Sequence, residues 1–189
     1  MPTTKVTIVY YSQTGTVATM AARLAQSAEA QGAEVRLRSV GRDNDEVAEG
    51  EPARPTADDI VWADVVLLGS PTRYGNIAGR LKVFLDGLGA QWATGQLADK
   101  VYAGFTSSQT AHGGQETTLL ALYNSIYHFG GIIVPPGYTA GLKFVDGNPY
   151  GVSHVTGANN DQPLGQAELD ALDHLATRAV TIAGRLQGA

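Results

Sequence analysis

The chain contains no cysteine, which excludes disulfides, thiolate-held metals and thiol nucleophiles together. It also has no apolar run approaching the roughly 20 residues of a membrane-spanning helix. Its start lacks the basic stretch and apolar run of a secretory leader, so the expected setting is the cytoplasm. Clustered basic residues are missing too. The 13 lysines and arginines are scattered singly among 18 acids, for a formal net charge of −5. That offers no stripe to a nucleic acid backbone or an anionic membrane. The four histidines show no metal-ligand spacing. What remains is ordinary globular material, 43% apolar and 16% charged over 189 residues. This is enough for a full core, and a single domain over 1–189 is expected.

Residues 5–11 (KVTIVYY) form a β-branched and aromatic run that stops abruptly at Ser12-Gln13-Thr14-Gly15-Thr16. From there Val17, Met20, Ala21, Leu24, Ala25 and Ala28 recur at helical spacing until Gly32. Residues 33–40 alternate apolar and charged, as an edge strand does, and 41–56 is a polar connection. Residues 64–69 (DVVLLG) read as a central strand, followed by a loop at 70–76 and a helix at 77–88. Residues 100–106 (KVYAGFT) are a fourth strand, with a loop at 107–114 and a helix at 115–129. A fifth strand starts at 132–134, a glycine-rich excursion fills 137–165, and an amphipathic helix over 166–186 closes the chain. Strands alternating with helices imply a parallel sheet covered on both faces. In such sheets ligands sit at the carboxyl ends of the strands, where all three hydroxyl- and glycine-rich loops fall.

The first loop brings Ser12, Thr14 and Thr16 around Gly15 at a helix N-terminus, where free N–H groups and the dipole suit a phosphate monoester. An equally good local reading makes Ser12 and Thr16 simple helix caps. The loop has neither the lysine of GxxxxGK[ST] nor the GxGxxG fingerprint, so a mononucleotide fits better than ATP or a dinucleotide, and FMN is the candidate. In the second loop Pro71 and Gly75 shape the backbone, Asn76 offers hydrogen bonds to a heterocycle, and Tyr74 offers cover for its apolar part. Arg73 is either a partner for charge on a reduced flavin or a solvated side chain, and Tyr74 is either a cover or a packing residue. In the third loop Gly113 and Gly114 allow close backbone approach to a flat ring, with Glu116 an alternative helix cap. Of the histidines, His112 lies in a site loop, His128 faces the pocket from a helix end, and His154 and His174 lack a partner pattern.

SQTGT at 12–16, SPTRYGN at 70–76, QWATGQL at 91–97 and GGQE at 113–116 together resemble the WrbA family. The likeness continues through IIVPPGY at 132–138, NPYG at 148–151 and QPLGQAEL at 162–169. That family comprises flavodoxin-like NAD(P)H:quinone oxidoreductases. The resemblance implies five parallel strands in the order 2-1-3-4-5 and non-covalent FMN, with quinone and NAD(P)H as substrates. It also implies a homotetramer whose active sites form where protomers meet. Carried onto this chain, it implies FMN contacts from Ser12, Gln13, Thr14, Gly15, Thr16 and Val17. The second loop adds Pro71, Thr72, Arg73, Tyr74, Gly75 and Asn76. The third adds Ser107, Ser108, Gln109, Thr110, Ala111, His112, Gly113 and Gly114. Trp92 matches a tryptophan beside the substrate pocket, and His128 is the histidine nearest a family position that is Phe129 here. Thr14 stands where some members carry a tyrosine that contacts the nicotinamide nucleotide.

The expected chemistry is ping-pong, with hydride passing from NAD(P)H to flavin N5 and two electrons then passing to a quinone, and no catalytic side chain is required. Two other classes of function compete. A flavodoxin-type electron carrier would show a strongly acidic docking face, which a net charge of −5 does not suggest. A flavin-bound regulatory module would need a partner surface that the composition does not display.

Overall fold

The computed structural model describes residues 2–41 and 50–188, so residues 42–49 of the expected connection lie outside the described residues. The first apolar run becomes strand β1 (Lys5–Tyr10). Its alternating side chains serve two cores: Val6, Ile8 and Tyr10 pack on one face of the sheet, Val9 and the following Tyr11 on the other. Helix α1 (Thr16–Ala30) follows and buries the stripe Val17, Met20, Ala21, Leu24, Ala25 and Ala28. Each large apolar side chain taken out of water there stabilises the fold by roughly 1.5–3 kcal/mol. Strand β2 (Glu34–Ser39) pairs with β1 alone and is the half-wet edge that its alternation foretold.

A short helix, α2 (Ala57–Trp62), was not anticipated. It is fixed by a capping box in which the Thr56 hydroxyl accepts from the Asp59 N–H at 3.3 Å and the Asp59 carboxylate accepts from the Thr56 N–H at 3.0 Å. Strand β3 (Val65–Pro71) is buried throughout, as a central parallel strand must be. The helix expected from residue 77 starts two residues later. The Ile77 N–H donates to Asn76 Oδ1 and the Ala78 N–H to Ser70 Oγ, both at 2.8 Å, so both amides belong to the loop. The helix is α3 (Gly79–Asp86), and a second short one, α4 (Gly89–Ala93), comes after the break at Gly87. Strand β4 (Val101–Ser108) leads to α5 (Gln115–Phe129).

The sheet order is β2-β1-β3-β4-β5, all parallel, as expected. The fifth position is shared by two strands. Strand β5 (Ile132–Ile133) covers only Val101 and Tyr102 of β4. The excursion then carries the small helix α6 (Lys143–Asp146) and returns as β6 (Val152–Val155), which pairs from Phe105 to Ser108. Gly151 marks the return, since a Cβ there would lie 2.3 Å from the Gly104 carbonyl oxygen. Helix α7 (Gln166–Gln187) closes the chain against α1, tied to it by Arg23 Nε donating to Asp173 at 2.7 Å. Helices α1 and α7 therefore cover one face and α3 and α5 the other. The loops after β1 and β6 turn toward the first face, and those after β3 and β4 toward the second.

Candidate cofactor-binding site

Four loops at the carboxyl ends of the strands enclose a cleft of about 440 Å³. In the first loop Gly15, at φ 101°, occupies the N-cap of α1, a left-handed conformation that glycine tolerates best. No side chain caps the helix. Ser12 Oγ accepts instead from the Gly15 N–H at 3.2 Å, and Thr16 is already the first helical residue, so neither acts as the cap. The N–H groups of Thr16, Val17 and Ala18 thus donate to nothing among the described residues. Gln13 and Thr14 line the cleft, and Gln13 Oε1 accepts from the Tyr11 hydroxyl. The Val17 side chain belongs to the core, so only its backbone faces outward.

The second loop is a two-residue hairpin turn. Arg73 and Asn76 exchange backbone hydrogen bonds of 2.7 and 3.0 Å, with Tyr74 at φ 54° and Gly75 at φ 77°. A bulky residue in that region costs about 1 kcal/mol or more. Tyr74 gains nothing from packing in return, being fully exposed at the lip of the cleft. It is therefore no packing residue. Arg73 is exposed, with Nη1 on the Thr72 carbonyl at 3.0 Å and no acidic partner among the described residues. Pro71, Thr72 and Arg73 line the cleft beside Tyr74, whereas Asn76 closes the turn from outside it.

In the third loop Gly114 stands at φ 89°, and a Cβ there would lie 2.8 Å from the Gly75 Cα. The second and third loops are in backbone contact, a closeness that only glycine permits. Gly113, also on the cleft wall, is held by its N–H on the Thr110 carbonyl at 3.0 Å. Two residues that the sequence reading passed over organise this region. Buried Gln115 donates through Nε2 to Ser108 Oγ at 2.8 Å. The Thr118 hydroxyl lies 2.8 Å from that of Thr72 and 2.7 Å from the Gly114 carbonyl, stapling two loops to one helix turn. Ser107, Ser108, Gln109 and Thr110 line the cleft, while Ala111 and His112 are not part of its lining and Glu116 makes no side-chain cap. The fourth loop, after β6, adds Thr156 and Asn160 to the wall. Neither carried a sequence signal beyond an Asn-Asn-Asp turn composition at 159–161.

Trp92 and His128 meet each other but not the cleft. Trp92 Nε1 donates to the His128 carbonyl at 2.7 Å, and His128 helps line a separate groove of about 300 Å³ between α3 and α5. Helix α5 runs from the cleft at Gly114 to His128, about 20 Å at 1.5 Å per residue. The expectation that His128 faces the pocket of its own chain is therefore corrected. Phe129 packs its ring 6.4 Å from that of Tyr102. The other two histidines have partners after all. Buried His154 lies between Glu168 Oε1 at 3.0 Å and the Gln162 carbonyl at 2.9 Å, and His174 lies 2.9 Å from the Thr139 hydroxyl.

The donor set suits a mononucleotide: uncapped helix N–H groups with no lysine for a phosphate monoester, and backbone-rich second and third loops along one wall of the cleft for a flat ring. Fold and site together define a flavodoxin-like protein. Among solved structures of this fold, a WrbA-like flavodoxin from Agrobacterium tumefaciens superposes with a TM-score of 0.72 at 22% identity, over 97% of this chain and 99% of that one. Residues 5–144 match the family described as NADPH-dependent FMN reductase, and the chain belongs to it. A Deinococcus radiodurans protein named NAD(P)H dehydrogenase (quinone) is 39% identical over 97% of this chain and 98% of its own. A Sinorhizobium fredii protein of the same name is 37% identical over 96% and 98%. The family reading drawn from the motifs is thereby borne out.

Proposed function

We propose that this protein is an FMN-dependent NAD(P)H:quinone oxidoreductase that reduces quinones to hydroquinones by two electrons. The observation that carries the reading is the convergence of an uncapped helix N-terminus and two glycine-shaped loops on one cleft whose lining, among the described residues, offers no carboxylate, imidazole or amine. Bound there, FMN would supply hydride acceptance at N5 and onward two-electron transfer. The chain's own part is binding and orientation. The N–H groups of Thr16, Val17 and Ala18 and the Thr14 hydroxyl would hold the phosphate. The backbones of the second and third loops would hold the ring, with Tyr74 at its edge. Arg73 is the one permanent charge on the wall among the described residues and would favour the electron-rich state. A test is steady-state oxidation of NADH or NADPH with benzoquinone as acceptor. Turnover that requires both added FMN and quinone is expected, and nicotinamide oxidation indifferent to FMN would overturn the proposal.

We also propose a homotetramer, as the motif resemblance implies, in which the chain acts as one unit over its full length. Val83, Trp92, Leu120 and Tyr127 are large apolar residues left exposed on α3, α4 and α5, two of them one heptad apart on the outward stripe of α5. Burial of that face by another copy would bring Trp92 and His128 toward a neighbouring cleft, which their own chain does not do. Light scattering of the wild type against Trp92→Ala tests this, with a lower mass expected for the variant. The cytoplasm, where reduced nicotinamide nucleotides are plentiful, is the setting that accompanies the reading. Among the described residues no helix is long and apolar enough to cross a membrane, and no cluster of potential metal ligands occurs.

A further inference from the structure

The fourth loop has no role in any motif, yet its geometry is that of a built binding element. Asn160 is held at φ 56°, a left-handed conformation in which asparagine is several-fold enriched among non-glycine residues. Its N–H donates to the Gly157 carbonyl at 3.1 Å, and its Oδ1 is the nearer acceptor, at 2.9 Å, for the Thr156 hydroxyl proton, which also lies within reach of the Ser108 carbonyl at 3.2 Å. With the carboxamide oxygen so fixed, the amide nitrogen is left with no acceptor among the described residues, on a side chain that lines the cleft. The loop is anchored at both ends. The Thr156 N–H donates to the Ser108 carbonyl at 2.8 Å, and the Gln162 N–H to the Thr156 carbonyl at 3.1 Å. Buried His154 grips the Gln162 carbonyl, and Gln109 Nε2 reaches the Ala158 carbonyl at 3.3 Å. A donor carried on so restrained a turn is positioned in advance, which lowers the entropic cost of using it.

Topology says which part of a ligand it meets. The first and fourth loops both turn toward the α1 and α7 face of the sheet. The first holds the uncapped helix end, and the third loop meets the second at Gly114, on the other side. The fourth loop attaches to the base of the third, at Ser108 and Gln109, and so borders the middle of the cleft. We propose that Asn160, oriented by Thr156, is a specificity residue that donates from Nδ2 to a hydroxyl of the cofactor's sugar-alcohol chain. A neutral amide suits a hydroxyl, whereas the phosphate is matched by the helix end and the ring by the second- and third-loop backbones. This rests on the FMN reading above.

The test is a set of fluorescence titrations of the flavin-free protein with FMN, with riboflavin, which lacks the phosphate, and with lumiflavin, which lacks the whole side chain. The variant is Asn160→Gly, because glycine keeps the left-handed backbone while removing the amide, and a thermal melt confirms folding. One lost hydrogen bond predicts that FMN and riboflavin each bind about fivefold to tenfold more weakly, with lumiflavin unchanged. Thr156→Val, which frees the carboxamide to rotate, is expected to show the same pattern at about twofold to threefold. Loss confined to FMN would make Asn160 a phosphate contact, equal loss for all three would make it a ring or scaffold residue, and no loss would leave it idle. Each of these overturns the proposal. Failure of the wild type to bind FMN overturns the cofactor reading itself, a different result from wild-type binding that the variant leaves intact.

Discussion

The cleft and the flanks of the sheet treat polar groups in opposite ways. On the flanks, charge is drawn into ion pairs between elements or within one helix. Asp59, on α2 against the β2 edge, accepts five hydrogen bonds: one from Arg36, two from Arg38 and two from Thr56. The Arg36 guanidinium also lies 3.9 Å over the Trp62 ring. Lys143 and Asp146 form a buried ion pair within α6, with Lys143 Nζ also on the Gly151 carbonyl at 3.2 Å. Burial lowers the pKa of Lys143 and raises that of Asp146, so desolvation outweighs their mutual attraction in both. None of the groups with displaced pKa values lines the cleft. There the polar groups are hydroxyls, amides, backbone N–H and the exposed Arg73 guanidinium, several of them uncommitted, and the backbone is bent into left-handed turns. Charge holds elements together on the flanks, while mostly neutral, strained and unpaired groups at the loops stand ready for a ligand.

The largest expected effect lies on the flank. Asp59→Ala strips the partners from two partly buried arginines and from the α2 cap, and should cost about 3 kcal/mol of stability in a denaturant melt. It should leave FMN affinity unchanged, and a matching loss of affinity would erase the contrast between the regions. Gly114→Ala is the converse probe. The new Cβ would press on the Gly75 backbone at a φ that alanine resists, so about 2 kcal/mol of stability should be lost. FMN affinity should fall at least tenfold as the two loops part, a drop that titration would reveal.

The flank should also set the acid limb of stability. Burial alone would raise the Asp59 carboxyl, but hydrogen bonds from Arg38 and Thr56 hold it below its ordinary value of 3.8, and Arg23 and Ser27 do the same for Asp173. The unfolded chain therefore binds these protons more readily. Their contribution is complete above about pH 4, the unfolded carboxylate range, and drains as pH falls through the lower folded values. Melts between pH 5 and 2 should show a shallower acid loss in Asp59→Ala than in the wild type. The smallest effect is a gain. Tyr74→Gly relieves the left-handed strain and should stabilise the flavin-free protein by about 0.5–1 kcal/mol while weakening flavin binding. Destabilisation instead would mean that Tyr74 serves the fold.

The same contrast explains what was legible in the sequence. The first three loops announced themselves because long apolar strands end in hydroxyls and glycines, a change of composition tied to the backbone that the turns require. The fourth did not, because β6 is only four residues long and follows an excursion with no periodicity, so neither the strand nor Asn160 stood out. Gln115 and Thr118 act through hydrogen bonds to distant loops, and on a helix they look like any polar first-turn residues. Helix α2 was missed although Thr56 and Asp59 carry the spacing of a capping box, a signal that was available. Trp92 and His128 were placed by resemblance, and one chain's geometry sets them at the far end of α5 from its own cleft.

The most direct test of the central claim is anaerobic stopped-flow absorbance of the FMN-loaded protein, mixed first with NADH or NADPH and then with benzoquinone. The account predicts rapid bleaching of the flavin band by at least one nucleotide and rapid recovery at one quinone per flavin. Tight FMN binding without bleaching by either nucleotide would contradict it and put a one-electron carrier in its place.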